Sequence, residues 1–267
     1  MLIFLFLVSA QIILESFPIS SSGHLLLIEN FIHLFYPDAY ISVFNNIIVS
    51  HFLHGPTALV LAIFFYDRWS FLLFHIKRCW AIILKLIFFA FVADLITFPF
   101  FIFLRKIIDC SFFPIGIGFL ISAAALFSLN FCQRKTYSRL TISKVAIIGV
   151  AQGISLLPGI SRFGLTFVTA CCLGIRPSKA FAFSFAIQWP LIMFGFLESL
   201  LFLHKMPTSF KNSLFSTGLL ITIIISSVIA FFALGLVKRL IDLKKLWVFS
   251  IILCFSFFSW LIFVCFM

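Results

Sequence analysis

Three short stretches hold most of the residues that could do chemistry. Glu15 lies three residues before Pro18 in an otherwise apolar run. A carboxylate buried there needs a cavity, a metal or a partner cation, because burying an unpaired charge is costly. Next come Ser20, Ser21, Ser22, Gly23 and His24. One serine can cap the following helix, but capping does not use three hydroxyls and an imidazole. Free N–H groups at such a helix start bind anions, and a serine near a histidine can form a nucleophile with its base. The third stretch is Pro158-Gly159-Ile160-Ser161-Arg162-Phe163-Gly164. The guanidinium fork of Arg162 matches a phosphate bidentately, and glycine lets backbone approach a ligand closely. Alternatively, Arg162 pairs with Glu15 as a structural bridge. Brought together, these groups suit a phosphorylated substrate, attacked at phosphorus by a hydroxyl or a water. Such transfer depends mainly on positioning and charge stabilisation.

Of the 267 residues, 63% are hydrophobic and 10% charged, against about 25% charged in soluble domains. Too few polar residues remain to cover a globule in water, which excludes a cytosolic enzyme, a secreted domain and a disordered chain. The formal net charge is +11. The basic residues fall in short loops between apolar runs, so the positive-inside rule explains them, and nucleic-acid binding is not expected. Seven cysteines form no C-x-x-C pair; neither a disulfide framework nor a metal site is read from them, and Cys171-Cys172 is assigned to packing. The first residues resemble a signal sequence but lack a basic n-region, so an uncleaved membrane helix is expected.

Crossing a hydrocarbon core takes about 20 apolar residues. Five clean spans are legible, near 81–104, 112–132, 180–203, 214–236 and 246–266, with a more polar sixth near 44–66. Two regions, 1–34 and 144–173, are interrupted by the proline- and glycine-containing runs. Irregular backbone at membrane depth survives only when buried in protein or lining a cavity. Each region therefore reads as a re-entrant hairpin with a polar tip. The two also resemble each other: Gln11 and Gln152 precede the prolines, and Ser21 and Ser161 each follow theirs by three residues. Paired broken helices point to a midplane site in an inverted repeat.

The expected fold is thus an all-α polytopic integral membrane protein, a single transmembrane domain over 1–267 with six transmembrane helices and two re-entrant hairpins. With the hairpins entering from opposite faces, one face receives only Arg105, Lys106, Lys205 and Lys211. The other loop cations lie opposite, which makes that opposite face cytoplasmic and puts the C-terminus and the 35–43 loop outside. Lys85 and Arg162 belong to neither set.

Weaker candidates remain. His51 and His54 lie one turn apart and could ligate a metal, although polar lining of the same cavity is the preferred reading. Asp94 and Glu198 are buried acids away from either broken loop. Gln188 with Trp189-Pro190 reads as a kink lining the cavity.

These motifs resemble a known family, the bacterial undecaprenyl-diphosphatases of the bacitracin-resistance type. Its (E/Q)-x-x-x-E element is matched by Gln11 to Glu15. Its P-x-S-S-[ST]-G-H loop is matched by Pro18 to His24, and its P-G-x-S-R-S-x-x-T loop by Pro158 to Thr166. Weaker echoes are His54-Gly55-Pro56-Thr57 and Phe183-Ser184-Phe185. The resemblance implies removal of the terminal phosphate of a C55 isoprenoid diphosphate, which recycles the lipid carrier of peptidoglycan synthesis and confers bacitracin resistance. It implies Glu15 as the essential acid or a ligand of Mg²⁺ or Ca²⁺, and Ser21 as nucleophile or phosphate contact. His24 would be the acid/base and Arg162 the diphosphate clamp. Gln11, Ser20, Ser22, Gly23, Ser161 and Thr166 would bind substrate.

The implied partners are an isoprenoid diphosphate lipid, membrane lipid and, as an option, a second copy in a homodimer. The implied location is the bacterial inner membrane, multi-pass, with the site opening outward. Three departures stand out. Gln11 takes the amide option; Phe163 replaces the usual serine, adding bulk beside the clamp; and the last span lacks a basic residue near Phe249-Ser250. Two rival readings are a lipid-phosphate flippase or transporter of the same inverted design and a decayed homologue with a structural role.

Overall fold

Long apolar runs in this chain leave helices as the only way to satisfy the backbone inside lipid, and helices are what form. The computed structural model describes residues 2–35, 47–108, 114–132, 138–203 and 216–266; every regular element in them is helical. The first half holds α1 (Leu2–Leu14), α2 (Ser21–Phe35), α3 (Ile47–Phe64), α4 (Tyr66–Phe74), α5 (Ile76–Ile108) and α6 (Ile115–Ser128). The second holds α7 (Ile142–Ile154), α8 (Arg162–Cys172), α9 (Pro177–Leu203), α10 (Thr217–Asp242) and α11 (Phe249–Phe266), the last entered through a 3₁₀ turn at Leu246–Val248.

Four of these stretches are long and apolar enough to cross a membrane: Ile76–Phe100, Pro177–Leu203, Thr217–Asp242 and Leu246–Cys265. A fifth crossing results if α3 and α4, bent by 67°, are counted as one span. The run expected near 112–132 forms only the 14 residues of α6, short of a full crossing; Phe112 and Phe113 lie outside the described residues. So do the 36–43 part of the outer loop and the loop cations Arg134, Lys135, Lys205 and Lys211.

The helices α1 and α7 have 13 residues each, about 20 Å at 1.5 Å per residue. Each stops at its polar break, as a hairpin arm does. Packing follows the inverted repeat. In the first half α5 lies along α7; in the second α10 lies along α1. The pairs α3–α9 and α6–α11 close the arrangement. Small residues bring backbones together, as membrane helices require. A Cβ on Gly149 would sit 2.8 Å from the Ala93 carbonyl, and Thr97 Oγ1 donates to Gly149 O at 3.1 Å. Gly153, one turn on, gives room to the Phe100 ring.

Two expectations are corrected here. A disulfide joins Cys132, after α6, to Cys172, the last residue of α8, with Cα atoms 5.3 Å apart. They are 40 residues apart in sequence, and only the packing of α8 on α6 makes them neighbours. Phe163, in turn, does not crowd the clamp. Its ring stacks on Phe185 at 4.5 Å and meets Phe181 and Phe167 at 5.7 and 5.8 Å. It is buried in the core between α8 and α9. Phe163→Ser is therefore expected to lower stability by on the order of 3 kcal/mol, read as a lower detergent melting temperature, rather than to improve a site.

Candidate functional site

The two breaks meet tip to tip. A Cβ on Gly23 would lie 2.7 Å from Gly159 Cα, and one on Gly164 would lie 3.0 Å from the Pro18 carbonyl. Neither position admits a larger residue without moving backbone. Gly159 itself has φ of 83°, a left-handed conformation that glycine adopts readily. From α6, Ser122 fastens this tip: its Oγ donates to Gly159 O at 3.3 Å and accepts from Ser161 N at 2.8 Å.

Each tip starts a helix through the same device. Ser20 Oγ accepts from Gly23 N at 3.1 Å, and Ser161 Oγ accepts from Gly164 N at 3.0 Å. Both are N-caps. The repeat is thereby registered by the caps, not by the prolines: Ser20 corresponds to Ser161, Gly23 to Gly164 and Gln11 to Gln152, all at one constant offset. This corrects the pairing of Ser21 with Ser161. Ser21 corresponds instead to Arg162, the first residue of each second arm. The first turns of α2 and α8, which hold Gly23 and Gly164, thus both lie where the tips touch, and helix starts favour negative charge.

Glu15 lies in the turn after α1 and is buried. Gln11 Nε2 donates to its Oε1 at 2.7 Å, and His54 Nδ1, from α3, lies 2.7 Å from the same oxygen. The Thr57 hydroxyl, one turn on from His54, is buried with no hydrogen-bond partner among the described residues, and the charge of Arg162 reaches the carboxylate. Arg162 also feels Asp94. Yet among the described residues it makes no ion pair at contact distance, and its Nε is buried without a hydrogen-bond partner. The bridge reading for Arg162 does not describe this geometry.

In the second half the same amide does the same work. Gln152 Nε2 donates to Asp94 Oδ1 at 2.9 Å. Asp94, on α5, therefore does abut a broken hairpin, contrary to its reading from sequence. Glu198 pairs with His51 at 3.4 Å, and the His51 and His54 rings stack at 5.9 Å.

The other sequence-derived candidates sit as follows. Ser21 is half-buried, and no hydrogen bond among the described residues holds its hydroxyl. Ser22 is exposed, with its Oγ 3.4 Å from Ser20 Oγ. Thr166 donates to Arg162 O at 2.9 Å, so its hydroxyl proton is spent within its own helix. His24 faces α6 and α11 rather than Glu15. Its ring meets Phe119 at 4.8 Å, and both nitrogens are engaged, Nδ1 with Ser20 O at 2.6 Å and Nε2 with Ser256 Oγ at 2.8 Å. His54, Thr57, Asp94 and Ser256 are the residues that sequence reasoning undervalued or missed. The echo at His54-Gly55-Pro56-Thr57 was the available signal for the first two.

Oxygen donors are what a divalent cation such as Mg²⁺ or Ca²⁺ would find here. Glu15 Oε2 and Gln11 Oε1 are buried oxygens with no hydrogen-bond partner. No group of three or more His, Cys, Asp or Glu gathers among the described residues. The donor set fits a hard cation only if a substrate supplies further oxygens.

Fold and site together define a polytopic α-helical membrane protein with two hairpin tips converging on a buried acid and a guanidinium unpaired among the described residues. The model of the bacitracin resistance protein BacA family matches residues 5–257, and the chain belongs to that family. It is 30% identical to an undecaprenyl-diphosphatase of Borrelia hermsii, with 91% of each chain covered. It is 33% identical to one of Thermosipho africanus, covering 88% of this chain and 89% of that one.

Proposed function

We propose that this protein hydrolyses undecaprenyl diphosphate to undecaprenyl phosphate and inorganic phosphate in the bacterial inner membrane. The lipid carrier of cell-wall synthesis is thereby recycled, and bacitracin resistance follows. The observation that carries the reading is Arg162: a guanidinium at a helix start with no contact partner among the described residues, its charge reaching Glu15. Such a charge is complementary to a diphosphate. The relatives' names support the same substrate.

In this reading Arg162 and the N–H groups opening α2 and α8 neutralise the phosphate oxygens. Gln11 and His54 hold Glu15 in place through Oε1 and leave Oε2 free to face substrate. Ser21, at the mouth of α2 with an unengaged hydroxyl, attacks the terminal phosphorus; the bond to the bridging oxygen breaks and undecaprenyl phosphate leaves. Water then cleaves the seryl phosphate. The carboxylate–imidazole system at Glu15 and His54 takes the proton of each nucleophile and returns one to Ser21 Oγ as the seryl phosphate breaks, with His24 as the further acid/base of the first tip. Glu15 and Gln11 would hold a divalent cation, which would supply positive charge against the diphosphate. The isoprenoid tail lies among the phenylalanine-rich helices, many of whose rings are exposed.

The experiment is phosphate release by purified protein in detergent, comparing long and short isoprenyl diphosphates with and without divalent cation. Ser21→Ala is expected to reduce release at least about 100-fold. Wild-type release by that variant, with altered lipid movement across vesicles, would favour a flippase instead.

A further inference from the structure

His24 is the one imidazole in the first tip, and its neighbours restrict what it can do. A carbonyl oxygen only accepts, so the 2.6 Å contact with Ser20 O requires a proton on Nδ1. Nε2 is then the variable atom. It carries a lone pair in the neutral ring and a proton in the cation. Its partner is Ser256 Oγ at 2.8 Å, from α11, far along the chain. Ser256 is buried, and its Oγ also lies 3.0 Å from Ile252 O, one turn back.

That second contact matters. With the ring neutral, the Ser256 hydroxyl turns its proton to Nε2. With the ring charged, Nε2–H donates to Ser256 Oγ, whose proton turns to Ile252 O. Both arrangements leave every donor and acceptor in this trio satisfied. A side chain without a hydroxyl satisfies neither, and a buried polar group left unpaired is costly. The Phe119 ring packed on the imidazole and the cap at Ser20 fix the ring's remaining freedom.

We infer that Ser256 is a positioning residue for His24, holding the ring in one orientation through either protonation state and tying the last helix to the first catalytic tip. Ser256 touches neither the reacting atoms nor Glu15; it acts through His24. The inference rests on the phosphatase reading and adds to it a residue outside every motif that marks the family.

The hydroxyl is isolated by comparing Ser256→Thr with Ser256→Val, which have nearly the same volume. Phosphate release in detergent is measured for both, for His24→Gln and for the double variant His24→Gln with Ser256→Val. Ser259→Ala, whose hydroxyl bonds Phe255 O on the exposed side of the same helix, is the control. Ser256→Val is expected to lower kcat about tenfold, a part of what general acid–base catalysis contributes, with KM within about twofold. Ser256→Thr should stay within about threefold of wild type. In the His24→Gln background Ser256→Val should cost nothing further, because the two side chains act as one unit.

Equal kcat for the Thr and Val variants overturns the inference, and so does a full tenfold loss on top of His24→Gln. Failure of the wild-type protein to release phosphate would instead overturn the phosphatase reading. Wild-type activity in His24→Gln would remove His24 from the chemistry and the role of Ser256 with it.

Discussion

Arg162→Ala is expected to lower phosphate release from a long isoprenyl diphosphate by about 10³-fold or more, the scale of a transition-state arginine in phosphoryl transfer. The guanidinium stands at the first position of α8, close enough for its charge to act on Glu15 and Asp94 but paired with neither. Its charge is therefore left for substrate. Stability gives an independent readout. Breaking a buried ion pair by removing one partner costs about 3–5 kcal/mol. Removing a cation that has no contact partner among the described residues should leave the detergent melting temperature unchanged or raise it. Arg162→Lys keeps the charge but loses the planar fork, so its rate should fall between alanine and wild type. A strongly destabilised Arg162→Ala variant with wild-type turnover per folded molecule would return Arg162 to a bridging role.

Glu15→Gln carries the second large effect, a loss of about 10²–10⁴ in kcat. The exchange preserves size, and an amide oxygen can still accept from Gln11, so the fold should survive it. What disappears is the carboxylate charge, and with it the base and the free oxygen at Oε2. Asp94→Asn is the informative comparison. Asp94 occupies the matching place against Gln152, but the residue of the second hairpin equivalent to Glu15 is Leu156. The repeat is thus symmetric in its amides and caps and asymmetric in its chemistry: acid and serine on one tip, guanidinium on the other. A rate for Glu15→Gln close to wild type would count directly against the proposed mechanism.

Much of this could be read locally. The polar breaks, the capping serines, the glycines and the short arms on either side are features of contiguous residues, and each follows from what a backbone needs inside lipid. Glu15, Ser21 and Arg162 stood out because a charge or a spare hydroxyl is costly in an apolar run and makes a candidate site there. The same reasoning erred where the deciding contact came from a distant helix. Phe163 read as a bulky intruder because the neighbouring arginine was in view and Phe185 was not. Asp94 read as remote because nothing along the chain reveals that α5 lies on α7.

By itself, then, the sequence determined that the chain is a helical membrane protein with two interrupted segments, and it nominated the polar side chains at their breaks as the candidate site. Only the tertiary structure decided the partners. It put His54 on Glu15, Gln152 on Asp94, Ser256 on His24 and Cys132 on Cys172, and it shifted the register of the repeat by one residue. The physical reason is periodicity. A helix apolar on nearly every face gives no amphipathic stripe to say which side meets which neighbour. In lipid that choice is made by close packing of small residues and by the pairing of the few polar groups, contacts between helices distant in sequence.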